Sequence, residues 1–461
     1  MAASLEERLE NLWRAFFRAD LVLDSALHIG AGGYDDSRGI ATCYRDARGQ
    51  AVILGTSLAG VFMEDVLQAV NDPRTQEATK TGIQAIQKKI TCKGLNDLEG
   101  SRFIFHNARP LEAQKANRPW DRRDSVRIDR QTRTAAYGAK FAHEVLEPGL
   151  RFRFYFECAF YPHDKTEQKK TLTALALKIL QQRWGQKNSP AFLGAAAARG
   201  TGWFHLENLQ AAVIADSDGL QAYLNAEDIK SFVDDHPNYI SLAEIQEWSG
   251  DLPLQWPRQV WNFQVQILDA IEDGYGAWPL LVRSAPEKGL LNEEDLTFVS
   301  TRVWKKPDDN GKQKSEEKLF IPGSTLRGAA RSFMERLAAS GKLNGLIQEK
   351  LNALFGPEDC SSGSRLRFRD AYFENPGKPN QIVHHVALDE FTRGALEGAK
   401  FDEKPLFSGN FDGQIILEYP DEEEKKLIET LFAWGQQGWV ALGAHHTPVR
   451  WKLIAGGPAD E

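Results

Sequence analysis

The chain has 461 residues, 42% apolar and 26% charged, with a formal net charge of −8. These are globular values in a chain too long for one ordinary core, so two or more domains are expected. The acidic balance argues against indiscriminate nucleic-acid binding and leaves the question to local basic patches. No apolar run reaches the roughly 18 residues of a membrane span. No signal-peptide pattern opens the chain, so a cytoplasmic protein is expected. Cys43, Cys92, Cys158 and Cys360 form no CxxC pair, which argues against a zinc site or a disulfide framework.

In chain order, residues 4–16 read as an amphipathic helix and 17–27 as an alternating strand. Residues 27–33 form a glycine-rich turn and 34–38 a polar loop carrying Asp35 and Asp36. Gly30–Gly33 is no dinucleotide fingerprint, because no GxGxxG opens a helix there. A strand at 40–44 and a hairpin turn at 46–50 lead to the corner Leu54-Gly55-Thr56-Ser57-Leu58-Ala59-Gly60, with a helix over 61–70. Residues 103–105 read as a strand. Between 115 and 140 eight Lys and Arg, among them Arg122, Arg123, Arg127, Arg130 and Lys140, stand against three Asp. This is either a solvated face or a phosphate track, and its clustering in an acidic chain favours the track. A strand at 151–161, a helix at 171–183 and a small-residue turn at 195–202 carrying Arg199 follow. Residues 210–255 read as linker plus insertion. A strand at 261–268 restarts the pattern, and a loop over 270–318 contains Glu293, Glu294 and Asp295. Strands at 365–368, 413–418 and 449–454 and a helix at 422–435 complete the chain.

The most ordered stretch is Ile321-Pro322-Gly323-Ser324-Thr325-Leu326-Arg327-Gly328, where a strand ends, Pro322 and Gly323 break it, and a helix starts at Ser324 or Thr325. Backbone N–H groups at a helix start favour anions, and Arg327 and Arg331 share a helix face. The corner is therefore a phosphate seat or an ordinary strand–turn–helix bend. It has a second copy at 54–60, at an offset of 268. Residues 101–108 match 364–371 at 263, and 126–149 match 386–409 at 260, with identities that include Asp129/Asp389, Thr132/Thr392 and Lys140/Lys400. Three matches in one order imply two homologous modules. The element order predicts an α+β fold of two tandem ferredoxin-like (RRM-like) sheets with helices on one face, over 1–210 and 256–461, joined by 211–255.

The glycine-rich turn, the Ile-Pro-Gly-Ser-like corner at 321–328, the Asp370-Ala371 strand end and the segment Arg127-Ile128-Asp129-Arg130-Gln131-Thr132 together resemble the RAMP superfamily of CRISPR–Cas proteins. Within it the chain looks like the backbone subunit of type III RNA-guided effectors with two such subunits fused, as in the D-variant branch. The resemblance implies a palm sheet in each module and an inserted thumb hairpin, at 115–145 and 384–407, which enters the guide–target duplex and displaces a nucleotide pair. It also implies crRNA, target single-stranded RNA and sibling subunits as partners, and no membrane. The expected activity is endoribonuclease cleavage of the target by a loop aspartate with a divalent metal, Mg2+ or Mn2+. In module one the family position reads Ile40-Ala41, and the nearest carboxylates are Asp35 and Asp36. In module two Asp295 fits the spacing. Asp36 and Asp295 are the expected metal ligands; Ser57, Arg199, Ser324, Arg327, Arg331 and Lys400 join the basic run as expected RNA contacts. Ala59 replaces the usual Lys or Arg at the first corner, and the second thumb is acidic.

His28 reads as a satisfied core histidine. The pairs His384-His385 and His445-His446 invite a metal, but neighbouring side chains on a strand diverge. Two rival functions remain: a non-catalytic guide-binding scaffold, and a stand-alone RAMP nuclease that processes crRNA precursor.

Overall fold

A computed structural model describes residues 13–35, 39–71, 101–111, 120–129, 132, 134–161, 164–194, 196–214, 217–235, 241–248, 256–268, 279–282, 296–308, 312–343, 347–357, 363–374 and 382–458. The first palm is built from β1 (Arg14–Leu23), α1 (Gly55–Asn71), β2 (Phe103–Phe105), β3 (Arg151–Ala159), α2 (Thr166–Lys178) and β4 (Trp203–Ile214). Its strands lie in the order β2-β3-β1-β4, and every pairing is antiparallel. The second palm repeats this with β5 (Arg258–Ile267), α3 (Gly323–Ala339), β6 (Leu366–Phe368), β7 (Asn410–Glu418), α4 (Glu422–Gly435) and β8 (Thr447–Pro458). β6 pairs with β7, β7 with β5 and β5 with β8. Numbering the four core strands of each palm in chain order, both give 2-3-1-4, the ferredoxin-like arrangement that the repeat predicts.

Period-2 alternation sets the core. On β1, Ala15, Phe17, Ala19, Leu21 and Leu23 turn inward against Leu58, Phe62 and Val66 of α1 and Leu172 and Leu175 of α2. In module two Trp261, Phe263, Val265 and Ile267 meet Leu326, Phe333 and Met334 of α3 and Ile428 and Phe432 of α4. Each buried Leu, Ile, Val, Phe or Met among them stabilises the fold by about 1.5–3 kcal/mol before entropy.

Several elements differ from expectation. Residues 14–16 belong to β1 and not to a helix, because Ala15 continues the inward row; residues 4–12 lie outside the described residues. Gly30–Asp35 is a bulged strand pairing with Ile40–Cys43, so the turn and part of the polar loop are sheet. α1 and α3 start at their glycines, earlier than read. α2 also starts earlier and ends in a π turn, Ile179–Arg183. Within 270–318 the strand Ser300–Trp304 pairs with Ser315–Ile321 in a hairpin. The segment read as linker holds three helices, Ser217–Asn225, Ile229–Asp235 and Leu242–Glu247. The first two cover the outer face of sheet one, where Phe16 meets Tyr223 and Phe232 at ring distances of 5.7 and 5.6 Å.

Sheet two has no such helical cover among the described residues. Its outer face meets module one instead: Val260 and Ile416 pack with Phe192, Ala197 and Trp203. Beside them Glu418, buried, is bound by Arg183 of module one at 2.9 Å and by Arg258 and Arg367 at 3.1 and 2.5 Å. Burial would raise the Glu418 pKa, but Arg367 and Arg183 outweigh it and hold the carboxyl below its ordinary range. No helix among the described residues is long and apolar enough to cross a membrane.

Candidate nucleic-acid interface

Both corners are built the same way. Gly55 N–H donates to Asn107 Oδ1 at 2.8 Å, and Gly323 N–H donates to Asp370 Oδ1 at 2.7 Å. Asn107 and Asp370 occupy the same place in the repeat. A Cβ on Gly55 would lie 2.1 Å from the Phe105 carbonyl oxygen, and one on Gly323 2.3 Å from that of Phe368. Only glycine lets the helix start approach the neighbouring strand so closely. The Asp-Ala strand end is thus a helix cap, satisfying an orphan N–H of the first turn. Ser57 is half-buried on the first turn of α1, and Ser324 is exposed on that of α3.

Arg327 and Arg331 do not form an open phosphate seat. Arg331 is buried; it donates to the Gly356 carbonyl at 2.9 Å and to Glu335 at 2.8 Å. Arg327 donates to the Phe355 carbonyl. Both therefore reach the orphan carbonyls at the C-terminus of the helix Ile347–Phe355, where a cation also complements the helix dipole.

The two thumbs are hairpins at the expected stretches. Trp120–Ile128 pairs with Ala135–Leu146, and Val383–Leu388 pairs with Ala395–Lys404. Val126 faces Lys140 in one, and Val386 faces Lys400 in the other, so the register repeats with the sequence. Both tips close on one turn. Thr132 donates from N and Oγ1 to Asp129 Oδ1 at 2.8 and 3.0 Å; Thr392 does the same to Asp389 at 2.7 and 3.0 Å. The repeated Asp-x-x-Thr is therefore turn chemistry. Apolar groups stand out on both hairpins: Tyr137 and Phe391 are 106% and 96% exposed, joined by Ile128 and Leu388.

The basic run divides in two. Arg127 and Lys140 are exposed on the thumb, as is Lys400 on the second. Arg122 binds Asp124 at 3.0 Å, and Arg123 leaves the surface to bind Asp370 at 2.7 Å under the ring of Phe320. Burial would lower the Arg123 pKa; the Asp370 charge overrides it and raises the pKa. Also between the modules, Glu147 accepts from Trp304 Nε1 at 2.6 Å and from Arg302 at 2.8 Å. The Gly200 backbone, at a φ of 98°, packs directly on Gly323. A side chain at 200 would strike the Asp370 carboxylate at 2.3 Å. Arg199 next to it is exposed.

At the thumb base His28 Nδ1 lies 2.6 Å from the Glu144 carbonyl, satisfied as expected but half-buried and not in the core. His143 stands edge-on to it at 5.2 Å; burial, then His28, Arg123 and Arg199 depress its pKa to about 4. Burial pushes the nearby Cys43 thiol up to about 12. In module two the place of His143 is held by Glu403, on which His385 and His445 converge at 3.1 and 2.8 Å. His384 turns away to Asp402 at 2.7 Å, the divergence expected on a strand.

Asp35 ends the strand Gly30–Asp35, half-buried. Asp36, Arg130 and Asp295 lie outside the described residues. The strand Leu296–Thr297 runs parallel to the second thumb, with Leu296 opposite Glu403, as Ala41 runs opposite His143 in the first. Among the described residues no three His, Cys, Asp or Glu side chains are placed to hold a metal ion, and Asp35 is the one carboxylate of the three expected that they include. The helix-cap pair, the tip turns and the Arg123–Asp370 contact are roles the sequence did not announce. The available signal was the aligned repeat, which sets Asn107 beside Asp370 and an Asp–Thr pair at each thumb tip.

No curated protein matches the chain at a significant level. The RAMP superfamily matches residues 20–205 and 306–447, one span in each palm. With two ferredoxin-like palms, two thumb hairpins and a family match over more than half its length, this chain belongs to the RAMP superfamily, whose members are generally CRISPR-associated RNA-binding proteins.

Proposed function

We propose that the chain is a double backbone subunit of a type III CRISPR effector, fused as in the D-variant branch. In this reading it works in the cytoplasm, holds crRNA beside sibling subunits and cuts the complementary target RNA. The observation that carries the reading is the pair of thumbs, in one register, closed by one turn and ending in exposed apolar groups. Such hairpins suit insertion between stacked bases at two places on a duplex. A nucleotide displaced there leaves helical geometry, and its 2′-hydroxyl can align behind its own phosphate.

Arg127, Arg130, Lys140, Arg199 and Lys400 are the proposed phosphate contacts, with Ser57 and Ser324 at the corners. Arg122, Arg123, Arg327 and Arg331 act behind them by holding the thumb, the junction and the second corner in place. Asp35 or Asp36 in module one and Asp295 in module two are the proposed catalytic carboxylates. Asp36 and Asp295 would hold Mg2+ or Mn2+ together with phosphate oxygens, and a bound ion would offset the charge that builds on the phosphate.

The test is a labelled RNA complementary to the guide, incubated with Asp36→Ala, Asp295→Ala and the double variant, with and without chelator. Each single variant should delete one product band and chelator should delete both. If neither variant nor chelator alters the ladder, the scaffold reading replaces this one. Cleavage of a guide precursor without any target would favour the processing nuclease.

A further inference from the structure

The thumb base of module two holds two imidazoles on one buried carboxylate. Glu403 is 1% exposed, and its Oε2 lies 2.8 Å from His445 Nε2 and 3.1 Å from His385 Nε2. The two imidazole side chains stay 28% and 32% open.

Separate parts of the module are fastened together at this place. In the turn that carries His445, Ala444 N–H donates to the Leu281 carbonyl at 2.9 Å. Just past it Thr447 Oγ1 donates to the Pro279 carbonyl at 2.8 Å. Leu280 pairs with Leu406, next to the thumb strand Ala395–Lys404. Leu296, the residue after Asp295, runs opposite Glu403, and Val299 N–H donates to the Val282 carbonyl at 2.9 Å. The carboxylate, the palm turn and the strand that follows Asp295 are thus held in one spot.

Module one also has two imidazoles here, from positions that the repeat does not pair. A Cβ on Gly194 would lie 2.5 Å from the His28 carbonyl oxygen, and one on Gly443 2.5 Å from that of Leu281, so His28 and Leu281 correspond. His143 corresponds to Glu403. His385 and His445 stand where module one has Ser125 and Ala196. Four positions differ, yet each thumb base keeps two imidazoles, which packing alone does not require.

Their situations are not equivalent. His28 Nδ1 is engaged by the Glu144 carbonyl, and His143, with its pKa depressed to about 4, is uncharged at neutral pH. His445 uses Nε2 on Glu403 and keeps Nδ1 for another partner. A buried carboxylate behind an imidazole fixes its orientation and tautomer, as in a catalytic triad. Glu403 and His385 face His445 from the thumb; residues 279–282 and 296–297 contain no titratable side chain, His384 turns away to Asp402, and His446 is exposed.

We propose that His445 is the general acid of the module-two cut, with Glu403 as its positioning residue. The proposal rests on the backbone-subunit reading. The 2′-hydroxyl of the displaced nucleotide attacks its own phosphorus and gives its proton to the Asp295 carboxylate. As the 2′-O–P bond forms, the P–O5′ bond breaks, and the departing O5′ takes a proton from His445 Nδ1. The products are a 2′,3′-cyclic phosphate and a 5′-hydroxyl, and His445 recovers its proton from water.

The test uses the ribonucleoprotein assembly purified through a tag on this chain, with a labelled target and the same target carrying sulfur in place of the bridging O5′ at the module-two cut. A thiolate leaves without a proton, so the sulfur target bypasses the acid. His445→Gln should slow the module-two band on the oxygen target about a hundredfold, as loss of a general acid does, and leave the module-one band unchanged. On the sulfur target it should cut at the unmodified rate, and Glu403→Gln should show the same selectivity. In the unmodified protein the oxygen rate should fall as pH rises through the range in which imidazoles deprotonate, and the sulfur rate should not. Diethyl pyrocarbonate should modify His445 more slowly once a target with a 2′-deoxynucleotide at the cut site is bound. Equal slowing on both targets, an oxygen rate unmoved by His445→Gln, one pH profile for both targets or unchanged modification overturns the acid and leaves the backbone reading standing. A guide-loaded assembly that gives no module-two band at all overturns the acid together with the proposed cut of module two.

Discussion

Arg123, on the thumb of module one, donates to Asp370, at the corner of module two, across 2.7 Å, with a tenth of the arginine and none of the aspartate exposed. One carboxylate thus caps a helix with Oδ1 and ties two modules together with Oδ2. Removing one partner leaves the other charged and buried, which typically costs about 3–5 kcal/mol. Arg123→Ala should therefore lower the denaturation midpoint sharply. Arg123→Met with Asp370→Asn should recover more than half of the loss, because module one keeps its cap with Asn107 and needs no cation there. Chemical denaturation of the three proteins checks this; a neutral Arg123→Ala would mean that the pair does not hold the junction.

Arg331 and the thumb cations should separate cleanly. Arg331→Ala removes donors from buried carbonyls at a helix end and should destabilise the fold by about 1–3 kcal/mol. It should leave the salt dependence of RNA binding unchanged. Arg127→Ala with Lys140→Ala should change stability by less than about 0.5 kcal/mol, both side chains being exposed. The slope of log affinity against log salt should shrink by roughly two. Filter binding at several salt concentrations, beside thermal melts, distinguishes the two classes.

Tyr137 and Phe391 are exposed at the thumbs and bury nothing in the fold. Tyr137→Ala should leave the melting curve unchanged and blur the cut associated with module one; Phe391→Ala should do the same for module two. Deletion of the thumb tip, residues 127–139, which spares Trp120 and Arg123 and keeps Val126 facing Lys140, should abolish the first of these cuts while the palm stays folded. A cleavage ladder identical to that of the unmodified protein in all three variants would count against wedge insertion.

His143 predicts an acid limb of stability. Its pKa falls from 6.5 to about 4 on folding, chiefly through burial. Between those values the unfolded chain binds a proton at this position and the folded chain does not. Stability is therefore lost as pH falls through that window, and this group adds no further loss below it. With allowance for solvent screening the loss is about 2 kcal/mol. His143→Gln should flatten the difference in denaturation free energy between pH 7 and pH 4.5 by that amount; equal slopes in the two proteins would place the imidazole in contact with water.

The palms, their order and their doubling were legible in the chain itself. Alternation on residues 15–23 and 261–267, a glycine at each corner and three aligned repeats are local or periodic signals, and each palm obeys them. The thumb positions, at 115–145 and 384–407, came from the resemblance to the RAMP superfamily, which implies an inserted hairpin in each module. What only the tertiary structure decided is which charges face water. Arg123, Arg127, Arg327 and Arg331 look alike in sequence, yet one is exposed, one bridges modules and two cap a helix, because these roles depend on carbonyls and carboxylates 24 to 247 residues away. The strand at Arg14 and the helices on Phe16 escaped a local reading for a related reason. An apolar side chain reports that it will be buried and not by which partner, and the partner of each palm's outer face is settled only when the second module and the 217–235 helices pack.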